Sequence, residues 1–298
     1  MIKRKSIATF LGIAIIIISC SKSNIPRFDG ERAYRYLKEQ CDFGPRVPGS
    51  AAHEECLKYF VKFFTDLGKK PELQRFSVLG YDGNFLALTN IIVRFEGKSK
   101  PTYLLCAHWD SRPWADKESS EVAQKTPILG ANDGASGVAV LMELAHHFVR
   151  RQPKYNIIIV LFDGEDYGHK DDLSNYLLGS KYFAKNLVPP IPDRGILLDM
   201  VGDSVLKIYQ EGYSKKYAQA FLDTVFNIAK QLNYSEFIPA VKHYIIDDHL
   251  PLNEAGIPTI NLISFDYKYW HTLEDTPDKC SSKSLEIVGN VLLNLLYR

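Results

Sequence analysis

An α/β fold in a single domain is what the sequence predicts, with a mainly parallel or mixed central sheet covered by helices on both faces. Three observations carry this expectation. Runs such as 103–107 and 156–162 are apolar without alternation, the pattern of strands buried on both sides. Segments with apolar residues at helical spacing separate those runs. Asp and His residues recur directly after the runs end, at the carboxyl edge where open α/β sheets bind ligands.

Taken in order, Cys56, Phe60, Val61, Phe64 and Leu67 share one face of a helix over 50–68. Strands follow over 88–96 and 102–107. A helix over 136–150 has Ala139, Met142, Leu144 and Phe148 among its apolar positions. The run 156–162 is strongly apolar and β-branched, as strands prefer. A strand over 195–200, a helix over 215–232, a strand over 258–264 and a closing helix over 282–296 complete the pattern. With 46% apolar residues, no internal repeat and no low-complexity linker, the chain suits one large domain.

The first residues bear on location. Lys3, Arg4 and Lys5 precede an apolar run from Ile7 to Ile18, too short to span a bilayer as a permanent helix. The run ends Ile17-Ile18-Ser19-Cys20, which resembles a bacterial lipobox. Residues 1–19 are therefore expected to be a lipoprotein signal peptide, and residues 20–29 a tether from a lipidated Cys20. A plain secretory signal is the alternative. Ser21 in place of Asp favours outer-membrane anchoring on the periplasmic side. Without residues 1–19 the chain carries 33 Lys plus Arg against 35 Asp plus Glu, a balance that gives no reason to expect nucleic acid. Cys41, Cys56, Cys106 and Cys280 remain, and four cysteines allow three disulfide pairings in an exported protein. Cys106 reads as a small buried hydrophobe. No two cysteines are neighbours, which argues against a Cys/His metal site.

The residues that do chemistry sit on the frame of strands. His108 and Asp110 follow the strand ending at Ala107, and Asp133 precedes a helix after Gly130. Asp163, Glu165 and Asp166 follow Phe162, Asp199 closes the next strand, and Asp247, Asp248 and His249 lead into another element. Trp270 and His271 follow the last strand. Singly each is weak: an Asp before a helix is usually an N-cap, and a His beside a Trp is more often packed than ligating. Jointly they bring carboxylate and imidazole to one edge of the sheet. One His and two carboxylates suit a catalytic zinc with an open fourth position. Glu165, adjacent to the candidate ligand Asp166, is a carboxylate free to carry protons. Asp163 reads as a turn residue, Asp110 as a support for His108 or a neighbouring loop, and His146 and His147 as surface or helix-packing residues. His169, Asp171 and Asp172 read as a solvated loop, and His53 and His243 have no partner visible in sequence.

The order His108-Trp-Asp110-Ser, Gly130-Ala-Asn-Asp133-Gly-Ala-Ser-Gly, Asp163-Gly-Glu165-Asp166, Gly179-Ser, Leu198-Asp199 and His271 resembles the zinc aminopeptidase clan. Within it, His108-Trp-Asp-Ser-Arg-Pro, Asp247-Asp248-His249-Leu-Pro and Trp270-His271-Thr resemble the glutaminyl cyclases of the animal and Bacteroidetes type, from about Phe43 to the C-terminus. The resemblance implies a zinc aminopeptidase-like catalytic domain over 30–298. It implies one zinc on Asp133, Asp166 and His271, proton transfer by Glu165, and a hydrogen-bond network through Asp199 and Asp247. Trp270 would wall the substrate pocket. Asp166 stands where the animal enzymes carry Glu, so the shorter carboxylate must approach by about one methylene, and Ile246 stands where they carry Gln.

The implied reaction converts the N-terminal glutamine of a peptide or protein to pyroglutamate with release of ammonia. The clan's peptidases hold two metals, and His108 and Asp199 offer a second site with Asp133 bridging, so a dinuclear aminopeptidase is the alternative. A binding module on a dead peptidase fold is a third reading, weakened because ligands and base are all present. For the cyclase, ring closure is intramolecular, and holding a folded substrate conformer contributes most.

Overall fold

Helix α1 (Gly30–Asp42) opens the folded body, followed by α2 (Ala51–Asp66) and the strands β1 (Glu72–Leu79), β2 (Phe85–Phe95) and β3 (Ser99–His108). The computed structural model describes residues 25–169 and 172–298. The expected signal peptide, and the tether as far as residue 24, lie outside the described residues. Beyond β3 the order is α3 (Glu121–Gln124), α4 (Ala135–Arg150), β4 (Tyr155–Phe162), α5 (Leu178–Lys185), β5 (Arg194–Asp199), β6 (Ile208–Gln210) and α6 (Gly212–Gln231). The chain finishes with β7 (Phe237–Val241), α7 (His249–Glu254), β8 (Thr259–Ile263) and α8 (Ser282–Tyr297).

Six strands form one mixed sheet in the order β1-β2-β4-β3-β5-β8. Strands β4, β3, β5 and β8 run parallel, and β1 and β2 are added antiparallel at one edge. The sheet is thus mixed, with its chemistry on the parallel half. Successive residues of the parallel strands serve opposite cores, as strand geometry requires. Leu105, Ala107, Ile159, Leu161, Ile196 and Leu198 pack under α1, α2, α4, α6 and α8. Leu104, Cys106, Ile158, Val160 and Leu197 meet Phe183 of α5 and Leu252 of α7 on the other face. Both faces are apolar, which is why these strands do not alternate in sequence.

Among the described residues no helix is long and apolar enough to cross a membrane. Cys41, Cys56, Cys106 and Cys280 are all free and buried, so none of the three possible disulfide pairings is present. Burial pushes the Cys41 and Cys56 thiols up to about 12, which keeps them protonated and unreactive.

One local feature differs from expectation. Asp29 caps α1 by accepting from the Arg32 N–H, and Ala33, Leu37 and Cys41 form its buried stripe. Phe28, 2% exposed, packs beside Gly289 of α8, and Arg27 pairs with Glu286 at 2.8 Å. The last residues of the expected tether are therefore part of the folded body.

The parallel strands deliver their carboxyl ends to one edge. β3 ends at His108 and β5 at Asp199, while β4 runs into the loop holding Asp163, Glu165 and Asp166. β8 leads to the loop holding Trp270 and His271. Asp133 lies just before α4, whose N-cap Gly134 has φ of 103°. A Cβ there would sit 2.5 Å from the Asp110 carbonyl oxygen, so glycine is required for the loop to pass.

Candidate metal centre

His271 adopts a left-handed backbone, φ 57°, and so does Met200 directly after Asp199, φ 46°. Non-glycine residues take this conformation at a cost, and such outliers gather at functional sites. His271 itself points into the site. Its Nε2 lies 3.7 Å from Asp133 Oδ2 and 3.6 Å from Asp166 Oδ1. Asp133, Asp166 and His271 are all buried, and each offers a ligand atom within 4.8 Å of the others. Those spacings fit donors sharing one ion at about 2 Å each. One oxygen of Asp166, Oδ2, is buried without a protein partner. A buried orphan acceptor calls for a bound cation or proton.

A second group of three meets the first at Asp133. His108 Nε2 is 3.1 Å from Asp133 Oδ1 and 3.3 Å from Asp199 Oδ1. Burial disfavours charge on His108, but Asp110, Asp133 and Asp199 outweigh it and raise its pKa well above the ordinary value. His108 Nε2 thus stands between two carboxylate oxygens, and the three side chains together could hold a second ion.

Each ligand loop is bracketed by another side chain. Asp110 accepts from the Glu165 and Asp166 N–H groups at 3.1 and 3.2 Å. Asp275 accepts from the Asn132 and Asp133 N–H groups at 2.8 and 3.1 Å, and from the Tyr267 hydroxyl at 2.8 Å. Burial first, then the nearby Asp133, pushes the Asp275 carboxyl up to about 7. Arg112, fully buried, donates to Asp166 Oδ1 at 2.8 Å, and Asp116 Oδ1 stands 2.9 Å from His271 Nδ1. Arg46, also fully buried, donates to the carbonyls of Trp109, Leu129 and Gly130. None of Arg46, Arg112, Asp116 and Asp275 was singled out from the sequence. The available signal was that Arg112 lies inside a motif run already noted.

Beside the first group is an acidic cluster. Asp247 accepts from Asn261 Nδ2 at 2.6 Å, and Asp248 accepts from the Ser180 hydroxyl. Burial raises Glu165 and Asp247 well above ordinary carboxylate values, and neighbouring carboxylates add to it. Burial likewise lifts Asp166 to about 6 against the pull of Arg112, and Asp248 to about 7. Like charges this close share protons or neutralise a cation.

The cluster opens into a small pocket of about 90 Å³, lined by Glu165, Asp199, Asp247, Ile246 and Trp270 among others. Trp270 is half-buried. Its ring lies 4.0 Å from the His271 ring and 5.1 Å from that of Phe265, and the Lys117 ammonium is 5.0 Å away on its face. A groove of about 740 Å³ between α6 and β7 is larger but has Asp223 as its one carboxylate, so chemistry and not volume marks the site.

The remaining sequence expectations sort by geometry. Asp163 pairs with His53 at 2.8 Å and accepts from the Thr89 N–H at 2.7 Å, holding the start of the catalytic loop. His146 contacts the Tyr36 hydroxyl at 2.6 Å and His147 contacts Glu143 at 3.0 Å, so both pack helices. His243 meets Asp266 at the surface, and Asp172 caps a short 3-10 turn. Asp171 lies outside the described residues.

With this geometry in view, the comparisons with known proteins are specific. The family model described as Peptidase family M28 matches residues 90–296. A glutaminyl cyclase from Bacteroides thetaiotaomicron, solved with N-acetylhistamine bound, is 40% identical, with 92% of this chain and 99% of that chain covered and a TM-score of 0.89. A structure described as a leucine aminopeptidase precursor from the same organism matches with the same identity, coverage and TM-score. The glutaminyl-peptide cyclotransferase of Boiga dendrophila is 23% identical over 320 residues, covering 95% of this chain and 84% of that protein.

Proposed function

The chain belongs to peptidase family M28, and from that premise we propose that it is a zinc-dependent glutaminyl-peptide cyclotransferase. The observation that carries this is the 40% identity, over 92% of the chain, to a glutaminyl cyclase whose fold superposes at a TM-score of 0.89. Asp133, Asp166 and His271 hold one zinc. Bound there, zinc supplies Lewis acidity to the γ-carbonyl of an N-terminal glutamine, a contribution of several kcal/mol. Its donor set, one imidazole and two carboxylates at the spacings above, is that of a catalytic zinc site.

The residues of the chain supply the rest. The substrate's α-amine attacks its own side-chain amide carbon, a C–N bond forms, and the bond to the departing nitrogen breaks. Glu165 accepts the amine proton and returns it to the leaving ammonia. Burial raises the Glu165 pKa, and its side chain lines the pocket beside Asp166. Asp199 and Asp247 hold further protons next to Glu165 and fix the hydrogen-bond network. Trp270 walls the pocket that keeps the glutamine folded for ring closure. Peptides and proteins with N-terminal glutamine are the partners, and nucleic acid is not among them.

A dinuclear aminopeptidase has two observations in its favour, the His108, Asp133 and Asp199 group and the equal likeness to a structure described as a leucine aminopeptidase precursor. Metal content and product separate the two. One zinc per chain with ammonia release from a glutaminyl peptide supports the cyclase. Two zincs with hydrolysis of an aminoacyl anilide overturns it.

Location is a further part of the proposal. Cys20, preceded by a short apolar run and a charged start, becomes the lipidated first residue and anchors the enzyme at the outer membrane, facing the periplasm. Cys20→Ser is then expected in the soluble fraction or unprocessed, with activity intact. Wild-type protein whose N-terminal peptide carries no lipid mass would sink this reading.

A further inference from the structure

Arg112 uses its whole fork on side chains around the proposed metal. Nη1 donates to Asp166 Oδ1 at 2.8 Å and to the Asp166 carbonyl at 3.2 Å. Nε and Nη2 donate to the two oxygens of Asp116 at 3.2 and 2.8 Å, and Nη2 also donates to the Tyr176 hydroxyl at 2.8 Å. Asp116 in turn stands 2.9 Å from His271 Nδ1. One unbroken chain of contacts, Asp166 to Arg112 to Asp116 to His271, thus joins two of the three proposed ligands.

We infer that Arg112 and Asp116 act as a single positioning unit that aims Asp166 and His271 at one point, and that the short carboxylate at position 166 depends on it. The inference rests on the zinc site proposed above. Arg112 engages Asp166 Oδ1, the oxygen that also stands 3.6 Å from His271 Nε2, and so fixes the orientation of a carboxylate whose other oxygen, Oδ2, is buried without a protein partner. Asp116 fixes the His271 tautomer with the proton on Nδ1, so the Nε2 lone pair points toward Asp133 and Asp166. A guanidinium is planar and always charged, so it holds two carboxylates at a set angle where an ammonium would not. The rings of Trp114 and Tyr176 stand 5.9 and 5.3 Å from its carbon and limit its movement. Asp116 has a second effect. It shares the Arg112 charge with Asp166, and without it the guanidinium would rest on the proposed ligand Asp166 alone.

Three variants of the full chain test this: Asp116→Ala, Asp116→Asn and Arg112→Lys. The zinc dissociation constant is measured by competition with a chromophoric chelator, and the visible spectrum is taken after cobalt substitution. Ammonia release is then followed at saturating zinc. Asp116→Ala is expected to weaken zinc about 10- to 100-fold. Asp116→Asn should weaken it less, because its carbonyl still accepts from Nδ1–H. The cobalt bands should shift, and kcat should fall more than KM changes. If Arg112→Lys fails to fold, the Asp116 pair carries the test, since that side chain is a quarter exposed. Wild-type zinc affinity and an unchanged cobalt spectrum in Asp116→Ala would overturn the positioning role, whatever its melting temperature. A wild-type chain that binds no zinc overturns the metal reading itself, a separate and visible failure.

Discussion

Glu165 and Asp166 are neighbours in sequence with different tasks, and the difference lies in what each one touches. Asp166 is tied to Arg112 and faces His271 at 3.6 Å, whereas Glu165 is held through its backbone, by Asp110 and the Leu177 N–H, and its side chain lines the pocket. Glu165→Gln is therefore expected to keep the fold and the zinc while losing two or more orders of magnitude in turnover. Zinc content by elemental analysis beside ammonia release checks it; metal lost from Glu165→Gln would show the pair assigned backwards. Asp133→Ala, Asp166→Ala and His271→Ala should each release zinc and abolish activity, because a three-ligand site cannot spare one. His108→Ala should retain a single zinc. A fall from two zincs to one would instead revive the dinuclear reading.

Elements place these residues, and two of them can be tested. Helix α4 lies so close to the sheet that a Cβ on Gly137 would stand 2.2 Å from the Leu198 carbonyl oxygen and 2.9 Å from Ala107 Cβ. Gly137→Ala should push the N-terminal turn of α4, and Asp133 with it, away from β5. The expected cost is roughly 1–3 kcal/mol in thermal unfolding, with weakened zinc binding. Helix α6 is capped by Glu211, whose carboxylate accepts from the N–H groups of Tyr213, Ser214 and Ile245 and stands 3.1 Å from His249 Nε2. It thereby ties α6 to the loop that presents Asp247. Burial raises the Glu211 pKa, but the His249 contact and the N–H donors outweigh it and leave it at about 2. The folded value lies below the unfolded one of about 4.3, so the stabilisation is complete above that pH and is lost as pH falls toward 2. The melting difference between wild type and Glu211→Gln should be largest near neutrality and shrink below pH about 4. A difference that stays constant with pH would remove the charge from the argument.

The same elements explain what the sequence disclosed. Strands β3, β4, β5 and β8 were legible because burial on both faces removes alternation, and α4, α6 and α8 because their stripes are long. The proposed ligands stood out because each follows a strand end or precedes a helix. The β1–β2 hairpin was half legible: β1 is an edge strand with one buried residue, Phe76, so it carries little apolar signal. Short β6, β7, α5 and α7 carry less still. The contacts of Arg112, Asp116 and Asp275 were invisible because they link positions 112 with 166, 116 with 271, and 133 with 275. No periodicity reports a pairing across such separations.

At the scale of the whole molecule, the proposed zinc joins three stretches that are far apart in sequence. Asp133 enters α4, Asp166 follows β4, and His271 lies between β8 and α8. Without a cation the same place gathers buried carboxylates, and burial holds Asp166 at about 6 and Asp275 at about 7. The folded state binds zinc and the unfolded chain, with its ligands dispersed, does not. Zinc must then stabilise by mass action, about 2.7 kcal/mol at a free concentration one hundred times the dissociation constant. For a domain of this size that corresponds to a rise in melting temperature of roughly 5 °C or more. Chelation should lower the melting temperature by that amount and zinc should restore it. Asp166→Ala should melt at one temperature with or without zinc. Because carboxylates and imidazole bind metal only when deprotonated, the zinc-dependent increment should also fade as pH drops below about 6. Calorimetric scans of wild type and Asp166→Ala, with and without chelator, decide it. An Asp166→Ala variant that still gains the full increment from zinc would mean that the ion binds elsewhere, and the ligand set would have to be redrawn.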